Sequence, residues 1–142
     1  MIVSVDDHLL RDWMARRDAA LVRAIGDDAI ATTNLWYARL CWSAARASEV
    51  GLLAGWADAD RAALVAGLLA LPDDIHVVPM RDIAWQMGAL SARFIGLSAL
   101  GAEAVAAAAR LDARVLVSAR DDGPGIRDAC RELRIRYDVV ER

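Results

Sequence analysis

The chain has 142 residues, 57% of them hydrophobic and 26% charged, with a formal net charge of −3. That is enough chain for one domain with a buried core, too apolar for a disordered segment, and too acidic for a surface that binds nucleic acid all over. All 17 basic residues are arginine, so no mechanism that needs a lysine is open to it.

Met1 to Val5 reads as a short β-strand ended by the acidic pair Asp6-Asp7. Leu9, Leu10, Trp13 and Met14 then follow helical spacing, and a second helical piece runs from about Ala19 to Ile25, closed by Gly26. Asp28 to Thr33 is expected as a second strand, and Asn34 as the N-cap of a longer helix that begins with Leu35, Tyr37, Leu40 and Cys41. Asp58 is expected to cap a helix from about Ala59 to Leu71, stopped by Pro72. Ile75 to Pro79 reads as a third strand, followed by helices over Arg81 to about Phe94 and Ala99 to Leu111. Arg114 to Ser118 is the clearest buried strand, because Val115, Leu116 and Val117 run without alternation. After the turn Asp121-Asp122-Gly123-Pro124-Gly125, a helix from Ile126 to Leu133 leads into a last strand, Ile135 to Val140.

Strands separated by helices need crossover connections, which imply a mostly parallel sheet. With no linker or repeat, residues 1–142 read as a single α/β domain. Cys41 and Cys130 have no metal-ligand spacing and read as free thiols in a reducing compartment. The start does not resemble a signal peptide, and no apolar stretch reaches spanning length without a charge. The expectation is a soluble, cytoplasmic protein with no membrane contact.

In open α/β sheets the functional crevice lies beyond the carboxyl ends of the strands. Asp6 and Asp7 follow the first strand, Asp121 and Asp122 follow the Val115–Val117 strand, and Glu103 opens the helix that feeds it. Carboxylates that converge from separate elements repel unless a cation or proton intervenes. Oxygen ligands suit Mg²⁺ or Mn²⁺. Each aspartate taken alone also reads as an ordinary cap or turn residue.

Two families invite comparison. Ile2-Val3-Ser4-Val5-Asp6-Asp7-His8 looks like the start of a response-regulator receiver domain. That family needs a lysine and an aspartate ending a central strand, whereas this chain has no lysine and ends its second strand in Thr32-Thr33. The second resemblance covers nearly the whole chain. Met1–Val5 with Asp6, Ala31-Thr32-Thr33 entering the Leu35–Trp42 helix, Leu97-Ser98-Ala99-Leu100-Gly101-Ala102-Glu103, and Leu111 through Asp121 resemble, in order, the four blocks of PIN domains, including VapC-type toxin ribonucleases.

The resemblance implies a three-layer α/β/α PIN-like domain with a mostly parallel sheet of four or five strands. It also implies carboxylates that hold Mg²⁺ or Mn²⁺ for RNA hydrolysis if the centre is active, and no cofactor if it is not. RNA, a small antitoxin protein and a second copy of the chain are the partners it suggests. Asp6 matches the family's first carboxylate. The helix glutamate falls near Arg39, and Glu49 lies roughly 15 Å further along a helix. The third carboxylate falls at Ala102 beside Glu103, and the fourth at Arg120, with Asp121 and Asp122 next in line; Ser118 matches the hydroxyl position. The candidate catalytic set is therefore Asp6, Glu103, Asp121 and Asp122, with Asp6, Glu103 and Asp121 on the metal. Arg39, Ser118 and Arg120 are the residues that modify the site or touch nucleic acid.

This acidic site is incomplete. Arg39 is expected to pair with Asp6 and to stabilise a centre without any ion. Trp36 and Tyr37, flanking Arg39, are the best placed of the aromatics to stack on RNA bases, although packing is the commoner use of tryptophan. Arg16-Arg17 and the Arg127, Arg131, Arg134 series could contact phosphate, or pair with neighbouring acids on a solvated face. His8 stands close to the candidate site.

Overall fold

A computed structural model describes residues 1–46 and 50–142. Five strands, β1 (Ile2–Val5), β2 (Ala29–Thr32), β3 (Ile75–Val77), β4 (Arg114–Ser118) and β5 (Tyr137–Val140), form one all-parallel sheet in the order β3-β2-β1-β4-β5. The described helices are α1 (Asp7–Ala15), α2 (Ala19–Ile25), α3 (Asn34–Arg46), α4 (Asp58–Leu69), α5 (Met80–Arg93), α6 (Ala99–Leu111) and α7 (Pro124–Glu132). The strands expected from sequence are all present; Arg114–Ser118 matches end to end, and the other four are shorter by one or two residues at an end. Chain order reverses at β1, so β1 and β4 are neighbours although more than a hundred residues separate them.

Period-two alternation sorts the strand side chains into two cores, one on each face. Val3 and Val5 of β1, Ile30 of β2 and Leu116 of β4 pack with Leu9, Leu10, Leu21 and Leu64 from α1, α2 and α4. Val115 and Val117 of β4 pack with the alanines of α6 and with Ile83, Leu90 and Ile126 from α5 and α7. The molecule is thus a three-layer α/β/α sandwich. Helix α6 is buried on nearly all sides from Gly101 to Ala108, because it lies between the sheet and α5. Small side chains allow that double coverage, which explains the alanine run. Cys130 is buried and free, and burial pushes its thiol up to about 12, so it is an inert core residue.

Two caps differ from the sequence reading. The α3 cap is Thr33, whose Oγ1 accepts from the Trp36 amide at 3.2 Å, while Asn34 lies inside the helix and its Nδ2 donates to the Val78 carbonyl at 2.7 Å. The residue before α4 is Ala57, and Asp58 sits in the first turn, where its charge favours the positive end of the helix. The helix expected from Ile126 starts two residues earlier, with Pro124 opening α7. A side chain at Gly125 would meet the Gly96 carbonyl oxygen at 2.5 Å, so only glycine lets α7 close on that loop and hold the β4–α7 turn in place.

At the amino end of β4, Arg114 is 7% exposed and ties three elements together. Its guanidinium donates to Asp28 at 2.7 Å, to the Ala24 carbonyl at 2.7 Å and to the Ile25 carbonyl at 3.1 Å, and pairs with Asp138 at 3.4 Å. Those carbonyls close α2, where a helix leaves acceptors unsatisfied and favours a cation. Replacing Arg114→Ala should therefore lower the unfolding free energy by about 2–3 kcal/mol, because it leaves carboxylates and carbonyls without their donor. Urea denaturation of the variant beside the parent measures it.

Candidate functional site

The crevice lies at the carboxyl ends of β1 and β4, and its geometry begins with Asp6. As the N-cap of α1, Asp6 accepts from the Leu9 amide through Oδ1 at 2.8 Å. Its Oδ2 accepts from both the Ser118 amide and the Ser118 hydroxyl, each at 2.7 Å. The side chain is fully buried. Burial is the largest influence on its pKa and raises it to about 6, against the pull of the three hydrogen bonds.

Asp7 is the first residue of α1 and is also fully buried. Arg39 reaches it from α3 with a fork: Nε donates to Oδ2, and Nη2 donates to Oδ1 at 2.7 Å. The same Nη2 donates to Asp121 Oδ2 at 2.5 Å. One guanidinium therefore bridges carboxylates from two elements, while its outer edge leaves the Arg39 side chain 32% exposed. Burial alone would raise the Asp7 pKa, but hydrogen bonds and charge from Arg39, together with His8, outweigh it and hold the carboxyl at about 2. Pairing with Asp7 in turn holds Arg39 above its ordinary value.

His8 completes the group. Its Nδ1 lies 3.2 Å from Asp7 Oδ1 and 3.6 Å from Asp121 Oδ2. Neither contact is aligned as a hydrogen bond, so the ring nitrogen is buried beside two carboxylates without a directed partner. Burial lowers the His8 pKa, but proximity to Asp121, Asp7 and Asp6 overrides this and raises it to about 9. At neutral pH the centre thus holds three carboxylates against two cations.

Asp6, Asp7, His8 and Asp121 offer ligand atoms that all lie within 4.8 Å of one another, a group that could hold a metal ion by spacing alone. Three carboxylates and an imidazole would suit Mn²⁺ better than Mg²⁺. With Arg39 seated, however, the group does not fit an ion. The guanidinium already occupies the position between Asp7 and Asp121, and both oxygens of Asp6 already accept hydrogen bonds.

Of the residues singled out in the sequence, Asp6, Asp121, Ser118 and Arg39 meet in this crevice. Arg39 pairs with Asp7 and Asp121 and not with Asp6, because Asp6 is turned toward β4 by Ser118. Glu103 does not reach the group. It is fully buried on α6, where Oε1 accepts from the Asn34 amide at 2.9 Å and from Asn34 Nδ2 at 2.6 Å, and Oε2 accepts from the Leu35 amide at 2.8 Å. Glu103 therefore caps the amino end of α3, the helix that carries Arg39. Asp122 turns outward, accepting from the Tyr137 hydroxyl at 2.9 Å and pairing with Arg127. Arg120 is exposed and outside the network, and Glu49 lies outside the described residues.

The aromatic expectation is also corrected: Trp36 is 2% exposed in the core, and the Tyr37 hydroxyl donates to the Leu68 carbonyl at 2.6 Å. Trp36 serves as core packing, and Tyr37 is tied by its hydroxyl to α4. Asp7 and His8 were missing from the expected set. The available signal was the consecutive Asp6-Asp7-His8 placed where a strand turns straight into a helix.

Two outcomes follow from these environments. Because the folded His8 pKa lies above its ordinary 6.5, its contribution to stability is fully present below pH 6.5 and lost as pH rises toward 9. Wild-type unfolding free energy should fall across that window in urea titrations, and His8→Gln should flatten the fall. Glu103→Ala should cost about 2–3 kcal/mol by the same measurement, since it strips the amides that open α3 of their acceptor. No protein-family model matches the chain and no curated protein is significantly similar to it, so the chemistry of the centre stands on its own geometry.

Proposed function

We propose that this chain is a PIN-like protein resembling VapC-type, metal-dependent endoribonucleases, with an acidic centre too incomplete to cleave RNA efficiently. The observation that carries the reading is the convergence of Asp6, Asp7, His8 and Asp121 at the carboxyl ends of the two central strands, with Arg39 among them. In a complete centre of this class the ion activates water for attack on a phosphodiester. Here the helix position expected to supply a carboxylate supplies Arg39, and Glu103 is spent on a helix cap. The cofactor of an active form would be Mg²⁺ or Mn²⁺, its substrate RNA, and its setting the cytoplasm. Among the described residues no helix is long and apolar enough to cross a membrane.

A second reading, a non-catalytic binding or assembly module, is favoured by the outer face of α5. Trp85 there is 92% exposed, and Gly88, Ala89 and Ala92 form a shallow apolar groove beside it. A second copy of the chain or a small antitoxin protein would cover such a face. Sedimentation of the wild type should then show a dimer that Trp85→Glu dissociates; a monomer at all concentrations would remove the homodimer.

The ribonuclease reading is tested with a labelled RNA and Mn²⁺. Wild type should cleave at least a hundredfold more slowly than Arg39→Glu, which returns a carboxylate to α3, and Asp6→Ala should abolish whatever cleavage either shows. An Arg39→Glu protein that folds, binds Mn²⁺ and still leaves RNA intact would defeat the reading.

A further inference from the structure

The ion that this class of centre implies and the arginine that the chain supplies compete for one place. Arg39 Nη2 donates to Asp7 and to Asp121, and so bridges the two carboxylates as a shared cation would. Both are drawn into a group whose ligand atoms span no more than 4.8 Å. A dication entering that volume would meet the Arg39 guanidinium between the two carboxylates. Repulsion between charges a few ångströms apart in a partly buried setting is severe.

We infer that Arg39 is the resident cation of this centre, and that Arg39 and a divalent metal ion are mutually exclusive occupants of the Asp7–Asp121 pair. Two features place the exchange in Arg39 and not in the carboxylates. Asp6 is locked by Leu9 and Ser118, and Asp7 is fixed at the first turn of α1. Arg39 alone is a long side chain with an edge in solvent, held by its contacts with Asp7 and Asp121. Its helix is pinned independently by Glu103 and Thr33, so α3 keeps its position whatever residue 39 is. Removing the guanidinium leaves carboxylates that repel unless an ion enters. The inference needs only these charges and distances, and it stands even if RNA is not the ligand.

Mn²⁺ is the probe, followed by calorimetry and by the loss of its free-ion paramagnetic resonance signal. Wild type should show no saturable binding at millimolar Mn²⁺ and no rise in thermal midpoint. Arg39→Gln should bind one Mn²⁺ at least tenfold more tightly than wild type. Its midpoint should rise when Mn²⁺ is added, and Asp121→Asn in the same background should lose both effects. The inference is overturned if folded Arg39→Gln binds Mn²⁺ no better than wild type. It is equally overturned if wild type itself binds saturably in an Asp6-dependent way, a result that needs no variant at residue 39 to fold.

Discussion

The rest of this structure depends on a carboxylate buried where two parallel strands end. Asp6 caps α1 through one oxygen and holds the amide and hydroxyl of Ser118 through the other. Because β1 and β4 are sheet neighbours, this side chain locks the two ends together and sets where the next residues can go. Asp7 and His8 follow in the first turn of α1. Asp121 follows Ser118 through a turn in which the Ser118 carbonyl accepts from the Asp121 and Asp122 amides, both at 3.1 Å. Ionising Asp6 is opposed by its burial, which is why its pKa is pushed up to about 6. Against that cost the group supplies the acceptors for the Leu9 amide and for the Ser118 amide and hydroxyl.

Charge balance then dictates the partner. Asp7 is wholly buried, and a buried lone carboxylate is strongly destabilising. A metal ion, a proton or an arginine can meet that demand, and α3 delivers Arg39. Arginine suits the task better than lysine would, since its planar fork can hold two oxygens of Asp7 while reaching a third on Asp121. The consequence for function is direct. With Arg39 seated between Asp7 and Asp121 there is little room for an ion, so the pairing that stabilises the fold opposes metal binding by these carboxylates.

Helix α3 can serve this way because its start is held from below. Glu103 lies in the second turn of α6, in a fully buried stretch from Gly101 to Ala108 that is otherwise small and apolar. A charged side chain there is tolerated because three donors from Asn34 and Leu35 surround it and the amino end of α3 faces it. The acidic residue that looked most like a ligand on α6 is thus a structural anchor that aims Arg39 at the crevice.

Local sequence determined the elements and their layering. Helical and strand periodicities, the unbroken apolar run of β4, the Ala-rich α6 and the Gly-Pro-Gly turn all act over a few residues, and they are legible because side-chain spacing and backbone preference are local. They also placed Asp6 and Asp121 at the carboxyl ends of their strands, whereas Ser118 and Arg39 were singled out only through the resemblance to PIN domains. Which carboxylate faces which partner was decided only in three dimensions. Glu103 in the second turn of α6 and Asp121 just past β4 are both acids, yet one meets helix amides and the other a guanidinium. Asp122, a single residue further on, turns to Tyr137 and Arg127 instead. Arg39 bypasses Asp6 for Asp7 because Ser118, more than a hundred residues away, had already claimed Asp6. Spacing along a chain fixes the face from which a side chain leaves its element; the partner it finds depends on donors brought in by distant strands, which no local pattern encodes.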